Sequence, residues 1–269
     1  MNDTGQVLTA FALTLAAGLS TGIGSLVALL AKRESRRFLS VSLGFSAGVM
    51  IYVSMVELLD TARASLAAQL GERGGAWATV GAFFGGILLI AVIDKLIPSE
   101  ENPHEFHAGN APGEGAAAPR KLMRMGVLTA LAIAVHNFPE GLATFVSALQ
   151  APNVAIPVVA AIAIHNIPEG VAVSVPIYQA TGSRRKAFCY SFLSGLAEPL
   201  GALVGWLLLM PLLTDAVFGV IFAAVAGIMV FISFDELLPA AREYGEHHLS
   251  IYGLISGMAV MAVSLLLFL

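Results

Sequence analysis

Charge and sulfur are what this sequence has least of. Only 12% of its 269 residues are Asp, Glu, Lys or Arg, about half of the roughly 25% found in ordinary globular domains. With 57% hydrophobic residues and a mean hydropathy of +0.83, the chain cannot cover a water-facing surface. That excludes a soluble protein and leaves an all-α polytopic membrane protein. A single cysteine, Cys189, excludes a disulfide framework and a Cys-based metal cluster. Met1 to Gln6 holds no basic residue, and the first apolar stretch is too long for a signal core, so no cleavable signal is expected. No nucleic-acid partner is expected either.

What is there is apolar and long. A span needs roughly 20 apolar residues, and eight stretches qualify, approximately Val7–Ala31, Phe38–Asp60, Ala76–Ile97, Leu122–Leu149, Val154–Tyr178, Ala187–Leu209, Ala216–Ala240 and Leu249–Leu269. They read as one transmembrane domain over residues 1–269. The only long connector, Pro98 to Lys121, is rich in Pro, Gly and Ala, and a flexible cytoplasmic loop is expected there.

Basic residues set the orientation. Lys32, Arg33, Arg36, Arg37, Lys95, Arg120, Lys121, Arg124, Arg184, Arg185, Lys186 and Arg242 fall on one side, 12 of the 14 Lys and Arg; Arg63 and Arg73 lie opposite. By the positive-inside rule the majority side is cytoplasmic and both termini are extracytoplasmic. The expected location is the cytoplasmic (inner) membrane.

Spans 2 and 7 are copies. Gly48 to Arg63 aligns without gaps on Gly227 to Arg242, with eight of sixteen positions identical, Ser54 with Ser233 and Glu57 with Glu236 among them. The charge-derived topology runs one outward and the other inward. This gives an inverted repeat of spans 1–3 and 6–8 around spans 4 and 5, a pattern of transporters with a midplane site and alternating access. Glu57 then sits near the outer mouth and Asp235 and Glu236 near the inner one. The plainer reading of such residues is interfacial carboxylates at helix ends.

A second repeat carries the chemistry. His136-Asn137-Phe138-Pro139-Glu140-Gly141 recurs 29 residues later as His165-Asn166-Ile167-Pro168-Glu169-Gly170 (136 to 165), each copy inside an apolar span. Polar and ionisable groups at bilayer depth are costly and functional by default. On a helix His136 and Glu140 are i and i+4 and Asn137 and Glu140 are i and i+3, so all three neighbour one another; His165, Asn166 and Glu169 repeat this. If spans 4 and 5 pack face to face, imidazoles, carboxylates and amide oxygens converge, and bridging carboxylates allow a binuclear centre. Such a nitrogen and oxygen set without thiolate suits Zn²⁺, Fe²⁺, Mn²⁺ or Co²⁺. Pro139 and Pro168 deprive the carbonyls of Val135 and Ile164 of helical partners, and a kink at ligand level is expected to open space for an ion.

Glu198, also a carboxylate before a proline inside an apolar span, is expected to complete the site from span 6. Met50 is a softer candidate, since a thioether is a weak ligand and most membrane methionines pack; Met229 reads as packing. Asp94 and Lys95 read as an interfacial pair. His104, His107, His247 and His248 fall in connectors, where solvated histidines are common, and are left outside the core site.

These residues resemble the ZIP (Zrt/Irt-like) family of divalent metal transporters, closest to its bacterial zinc-uptake branch. The likeness covers essentially the whole chain and rests on the eight spans, the histidine-bearing loop between spans 3 and 4, and the paired motif. It implies uptake of zinc, with iron, manganese, cobalt and cadmium as co-substrates, into the cytoplasm. The centre it implies lies between spans 4 and 5: His136, Asn137 and Glu140 from one, His165, Asn166 and Glu169 from the other, with Glu198 and Met50 beside them. Some relatives begin the span 5 motif with Gln-Asp where this chain has His165-Asn166, which exchanges an acidic ligand for an imidazole. The resemblance also implies a transport domain moving against a scaffold, often in a homodimer; neither is legible in the residues themselves.

Rival classes fare less well. An intramembrane metalloprotease needs His-Glu-x-x-His, which is absent, and no enzyme or catalytic cofactor is expected. A proton or cation channel could use the same His–Glu chain as a relay, and the inverted repeat favours alternating access over it. A sensor without flux would carry a sizeable output domain, for which Pro98 to Lys121 is too short.

Overall fold

The computed structural model describes residues 4–30, 36–96, 117–150, 152–209, 214–244 and 247–266, and among them every regular element is a helix. In order these are α1 (Thr4–Leu30), α2 (Arg36–Tyr52), a π-helical turn (Val53–Leu58), α3 (Leu59–Leu96), α4 (Ala117–Gln150), α5 (Pro152–Thr181), α6 (Arg184–Gly195), α7 (Ala197–Val204), a second π turn (Gly205–Leu209), α8 (Asp215–Ile232), a third (Ser233–Leu237), α9 (Leu238–Tyr244) and α10 (His247–Leu266).

Five stretches of the described residues are long and apolar enough to cross a bilayer: Thr4–Leu30, Arg37–Ile93, Arg184–Leu207, Asp215–Arg242 and His248–Leu266. The second runs for 57 residues, about 85 Å of helix against a hydrocarbon core of about 30 Å. Gly71 breaks it. Its φ of 73° and ψ of 163° are available to glycine at little cost and to other residues hardly at all. Helix continues to both sides of this residue, so the ends at Asp60 and Ala76 expected from hydropathy fall short of the break. Likewise α4 starts at Ala117, inside the stretch expected to be a loop up to Lys121. His104 and His107 lie outside the described residues.

The outer surface is apolar. Ile23 and Leu30 on α1, Leu88 and Leu89 on α3, Leu193 on α6 and Ile255 on α10 are all exposed. Contiguous exposed surface of this kind marks a surface that meets lipid or a partner. Inside, several helix pairs approach closely at glycines. Gly48 of α2 lies against the Leu254 backbone of α10, and Gly257 of α10 against that of Phe45; Gly227 of α8 lies against Phe83 of α3, and Gly86 of α3 against Ala224 of α8. A Cβ at any of these would collide with backbone, and such small-residue seams are how helices associate in lipid.

The helices form two groups. α1, α4, α5, α6 and α7 pack on one another, as do α2, α3, α8, α9 and α10, and the groups meet where α2 crosses α5 and α4 meets α8. The segments of like sequence also share a local irregularity. In one, the Leu59 N–H bonds the Ser54 carbonyl; in the other, the Leu238 N–H bonds that of Ser233. Each is an i to i+5 bond, which widens the helix and re-aims the side chains around it.

Candidate metal centre

The paired motifs fall in the middle of α4 and α5, where the two helix groups meet. Pro139 sits within continuous helix in α4, and Pro168 likewise in α5. His165 and Glu169, one turn apart on α5, lie on one face, with Nε2 of the imidazole 3.9 Å from Glu169 Oε1. From α4, Glu140 Oε1 approaches the same Nε2 to 3.0 Å. One imidazole thus stands between carboxylates from two helices. His165 and Glu169 are fully inaccessible and Glu140 is 2% exposed, so bulk water reaches little of the cluster. His136 occupies the turn of α4 before Glu140; its side chain lies outside the described residues.

Asn166 continues the cluster toward α1 and α7. Its Nδ2 donates to the Ala17 carbonyl of α1 at 3.1 Å and to Glu198 Oε1. Glu198 is delivered by the break between α6 and α7 at Leu196, which places Pro199 in the first turn of α7. There its missing N–H costs no helical bond. Glu198 is fully buried. From α2, Ser46 Oγ lies 3.3 Å from the His165 carbonyl oxygen and 3.5 Å from Glu169 Oε1.

Several buried polar atoms have no hydrogen-bond partner among the described residues: both amide atoms of Asn137, Asn166 Oδ1, Glu140 Oε2, Glu198 Oε2 and Thr144 Oγ1. Buried polar groups are nearly always paired, and a cluster that is not calls for an ion or water. The donor set is imidazole, carboxylate and amide oxygen, which fits a borderline divalent cation. Among the described residues no three His, Cys, Asp or Glu side chains are drawn close enough to hold a metal ion as they stand.

A cavity of about 250 Å³ leads to Glu140. Glu57, Thr61, Thr144 and Ser147 supply its polar lining, and Phe222, Val225 and Met229 much of the apolar wall. Glu57, in the first π turn, therefore shares a cavity with the motif on α4. Met50 does not line it: this residue is fully buried in the main apolar core, and Met229 lines the cavity in its place. Asp235 and Glu236 lie partly buried in the third π turn, also away from this cavity. His248 is exposed and stacks on Tyr252, apart from the cluster.

Sequence reasoning passed over Ser46, Thr61, Thr144 and Ser147. Spacing could have found them, since Ser46 precedes Met50 by one turn, Thr61 follows Glu57 by one, and Thr144 and Ser147 continue the Glu140 face.

Comparison with known proteins identifies the family. A family profile described as ZIP Zinc transporter matches residues 94–265. A protein named zinc transporter ZupT from Streptococcus mutans serotype c is 69% identical over 263 residues, covering 98% of each chain. Proteins of the same name from Clostridium perfringens, 59% identical over 99% of this chain and 98% of its own, and from Corynebacterium glutamicum, 61% identical over 97% and 100%, resemble it along their whole length. Multi-pass helices, a buried His–Glu–Asn cluster and likeness over the full length lead to one conclusion: the chain belongs to the ZIP family of zinc transporters, proteins that move metal across membranes rather than enzymes.

Proposed function

We propose that the protein takes zinc up across the cytoplasmic membrane into the cytoplasm, through a centre formed by His136, Asn137, Glu140, His165, Asn166, Glu169 and Glu198. The observation that carries this reading is His165 held between Glu140 and Glu169, deep in the helix packing, at the end of a cavity that begins at Glu57. A charged group at the centre of a membrane helix costs about 3 kcal/mol on insertion scales. Three buried carboxylates would together cost about 9 kcal/mol, comparable to the entire stability of a typical domain, about 5–15 kcal/mol. Divalent cations in transit offset that cost.

Eight spans and an inverted repeat support alternating access. Break the long α2–α3 rod at Gly71, add α4 and α5, and the five apolar stretches become eight. Two pairs of glycine seams match under the alignment that brings Glu57 onto Glu236: Gly48 at Leu254 with Gly227 at Phe83, and Gly257 at Phe45 with Gly86 at Ala224. Gln69 Nε2 lies 3.4 Å from Asp215 Oδ2, which supports an end of span 2 and a start of span 7 on one face. With the basic side cytoplasmic, both termini are outside, Glu57 is at the entrance and Asp235 and Glu236 are at the exit.

On this mechanism a hydrated ion enters past Glu57 and sheds water onto Glu140. It passes to His165, Glu169 and Glu198, and leaves when the helix group of α1, α4, α5, α6 and α7 moves against the other. Two cations can share the centre through bridging carboxylates. The donor set also accepts iron, manganese, cobalt and cadmium, and Met50 adds a soft donor in the alternate state. A homodimer in the bilayer is consistent with the large apolar surface.

The test is uptake of radioactive zinc into proteoliposomes by wild-type protein beside His136→Ala/His165→Ala. Saturable uptake that the double variant loses supports the reading. Zinc bound but not moved by wild type would overturn transport in favour of sensing.

A further inference from the structure

The glycine contacts around the centre obey one rule. Gly141 of α4 lies against the Glu198 backbone and Gly201 of α7 against that of Phe138; Gly170 of α5 lies against Thr21 and Gly24 of α1 against Ile167. The motif repeat carries Gly141 and Phe138 onto Gly170 and Ile167. The same operation must carry Glu198 and Gly201 onto Thr21 and Gly24. The local sequences agree: Gly18, Leu19, Gly24 and Leu26 match Gly195, Leu196, Gly201 and Leu203. The crossing is reciprocal as well. Gly18 abuts the Gly195 carbonyl and Gly195 that of Gly18. A Cβ on Gly18 would meet the Cβ of Glu198 at 3.4 Å, and one on Gly195 would meet that of Thr21 at 2.9 Å.

We propose that Thr21 holds, in the second half of the centre, the place that Glu198 holds in the first, and that this residue sets how many cations the centre retains. The inference rests on the metal-transport reading above. Glu198 is paired with Asn166. Its counterpart Thr21 is fully buried, and among the described residues neither its hydroxyl nor the amide of Asn137, the counterpart of Asn166, has a hydrogen-bond partner. A hydroxyl oxygen is a neutral hard donor, weaker toward a divalent cation than a carboxylate. Glu140, Glu169 and Glu198 bring three negative charges, which over-balance one divalent ion and under-balance two. A fourth carboxylate would balance two and hold them. With threonine there, the second ion is bound loosely and leaves readily.

The decisive experiment moves the charge across the pseudo-twofold. Full-length protein is compared as wild type, Glu198→Thr, Thr21→Glu and Thr21→Glu/Glu198→Thr, reading zinc bound per chain at equilibrium and zinc uptake by proteoliposomes. Glu198→Thr is expected to weaken zinc binding and uptake by at least about tenfold, and the double variant to recover both to within about threefold of wild type. Thr21→Glu alone is expected to retain an additional zinc per chain and to turn over more slowly. A double variant that is folded and monodisperse yet no better than Glu198→Thr would overturn the proposal, as would unchanged stoichiometry in Thr21→Glu. If the buried carboxylate prevents folding, Thr21→Val, close in shape and lacking the hydroxyl, must raise the zinc KM or Kd more than Thr21→Ser; equal effects of the two would also overturn it. Because binding is read beside uptake, wild type that binds zinc without moving it marks failure of the transport reading, while the charge exchange is still judged on affinity.

Discussion

Glu140 and Glu169 belong to the same six-residue motif, yet they stand in different surroundings. Glu140 faces a cavity, with Val225 and Met229 of α8 and Thr144 of its own helix lining it. The residues that the repeats place around Glu169 are Ser46 and Met50 of α2 and Val173 of α5, all fully buried, and Ser46 lies beside the carboxylate. Two copies of one motif thus stand differently: a cavity reaches one carboxylate, and the residues at the matching places around the other are buried. The difference lies in the neighbours on the other helix group, because the motifs themselves are chemically alike. Two such doors, one shut, are what the alternating access proposed above requires of its resting geometry.

Loss of the open side is the most severe way to break this comparison. Glu140→Ala should lower zinc uptake by about 100-fold or more, since it removes both the first ligand the ion meets and the partner of His165; correctly inserted protein with unchanged uptake would refute the assignment. Acid should act on both sides together. Protons compete with metal for imidazole and carboxylate lone pairs, so zinc affinity should fall by at least about tenfold between about pH 7.5 and about pH 5.5, as read by equilibrium binding. Affinity that stays level would exclude these ligands.

The doors themselves can be probed with thiols. In protein whose exposed native Cys189 has been replaced by Ser, Ser147→Cys, which lines the cavity and is only partly buried, should react with a charged thiol reagent at least about tenfold faster than the fully buried Val173→Cys, because exposure governs thiol reactivity. Equal rates, measured by mass spectrometry, would erase the difference between the two sides. The gentlest test is Ser46→Ala. It removes one hydroxyl worth about 1 kcal/mol, so zinc affinity should fall about fivefold, and Val225→Ala at the matching place should move it less. The reverse order would show that Ser46 does not hold Glu169.

Much of this was legible in the chain. The helical class, the apolar stretches, the two sequence repeats and the residue types of the buried cluster follow from hydropathy, spacing and the cost of charge in lipid, which depend on local sequence alone. The exact break at Gly71 was harder, because the connector expected between Asp60 and Ala76 is helical on both sides of that residue, and Gly74 and Gly75 stand beside it as equal turn candidates. So was the start of α4 in a Pro- and Gly-rich connector, whose residues 117–121 extend the helix. Met50 and Met229 show why composition was not enough. Their sequence contexts are nearly the same, and Met229, read as packing, is the one that lines the cavity beside Glu140.

What the amino-acid order determined on its own is therefore the inventory: helices for lipid, a doubled His-Asn-x-Pro-Glu-Gly motif, and Glu198 before a proline. Tertiary structure alone decided the pairings. Glu140 reaches His165 across a helix boundary, Asn166 reaches Glu198 and Ala17, Ser46 reaches Glu169, and Thr21 takes the place opposite Glu198. The physical reason is that spacing along one helix specifies a face, whereas a contact between helices depends on where their small residues let two backbones approach. Here the glycine seams made that choice.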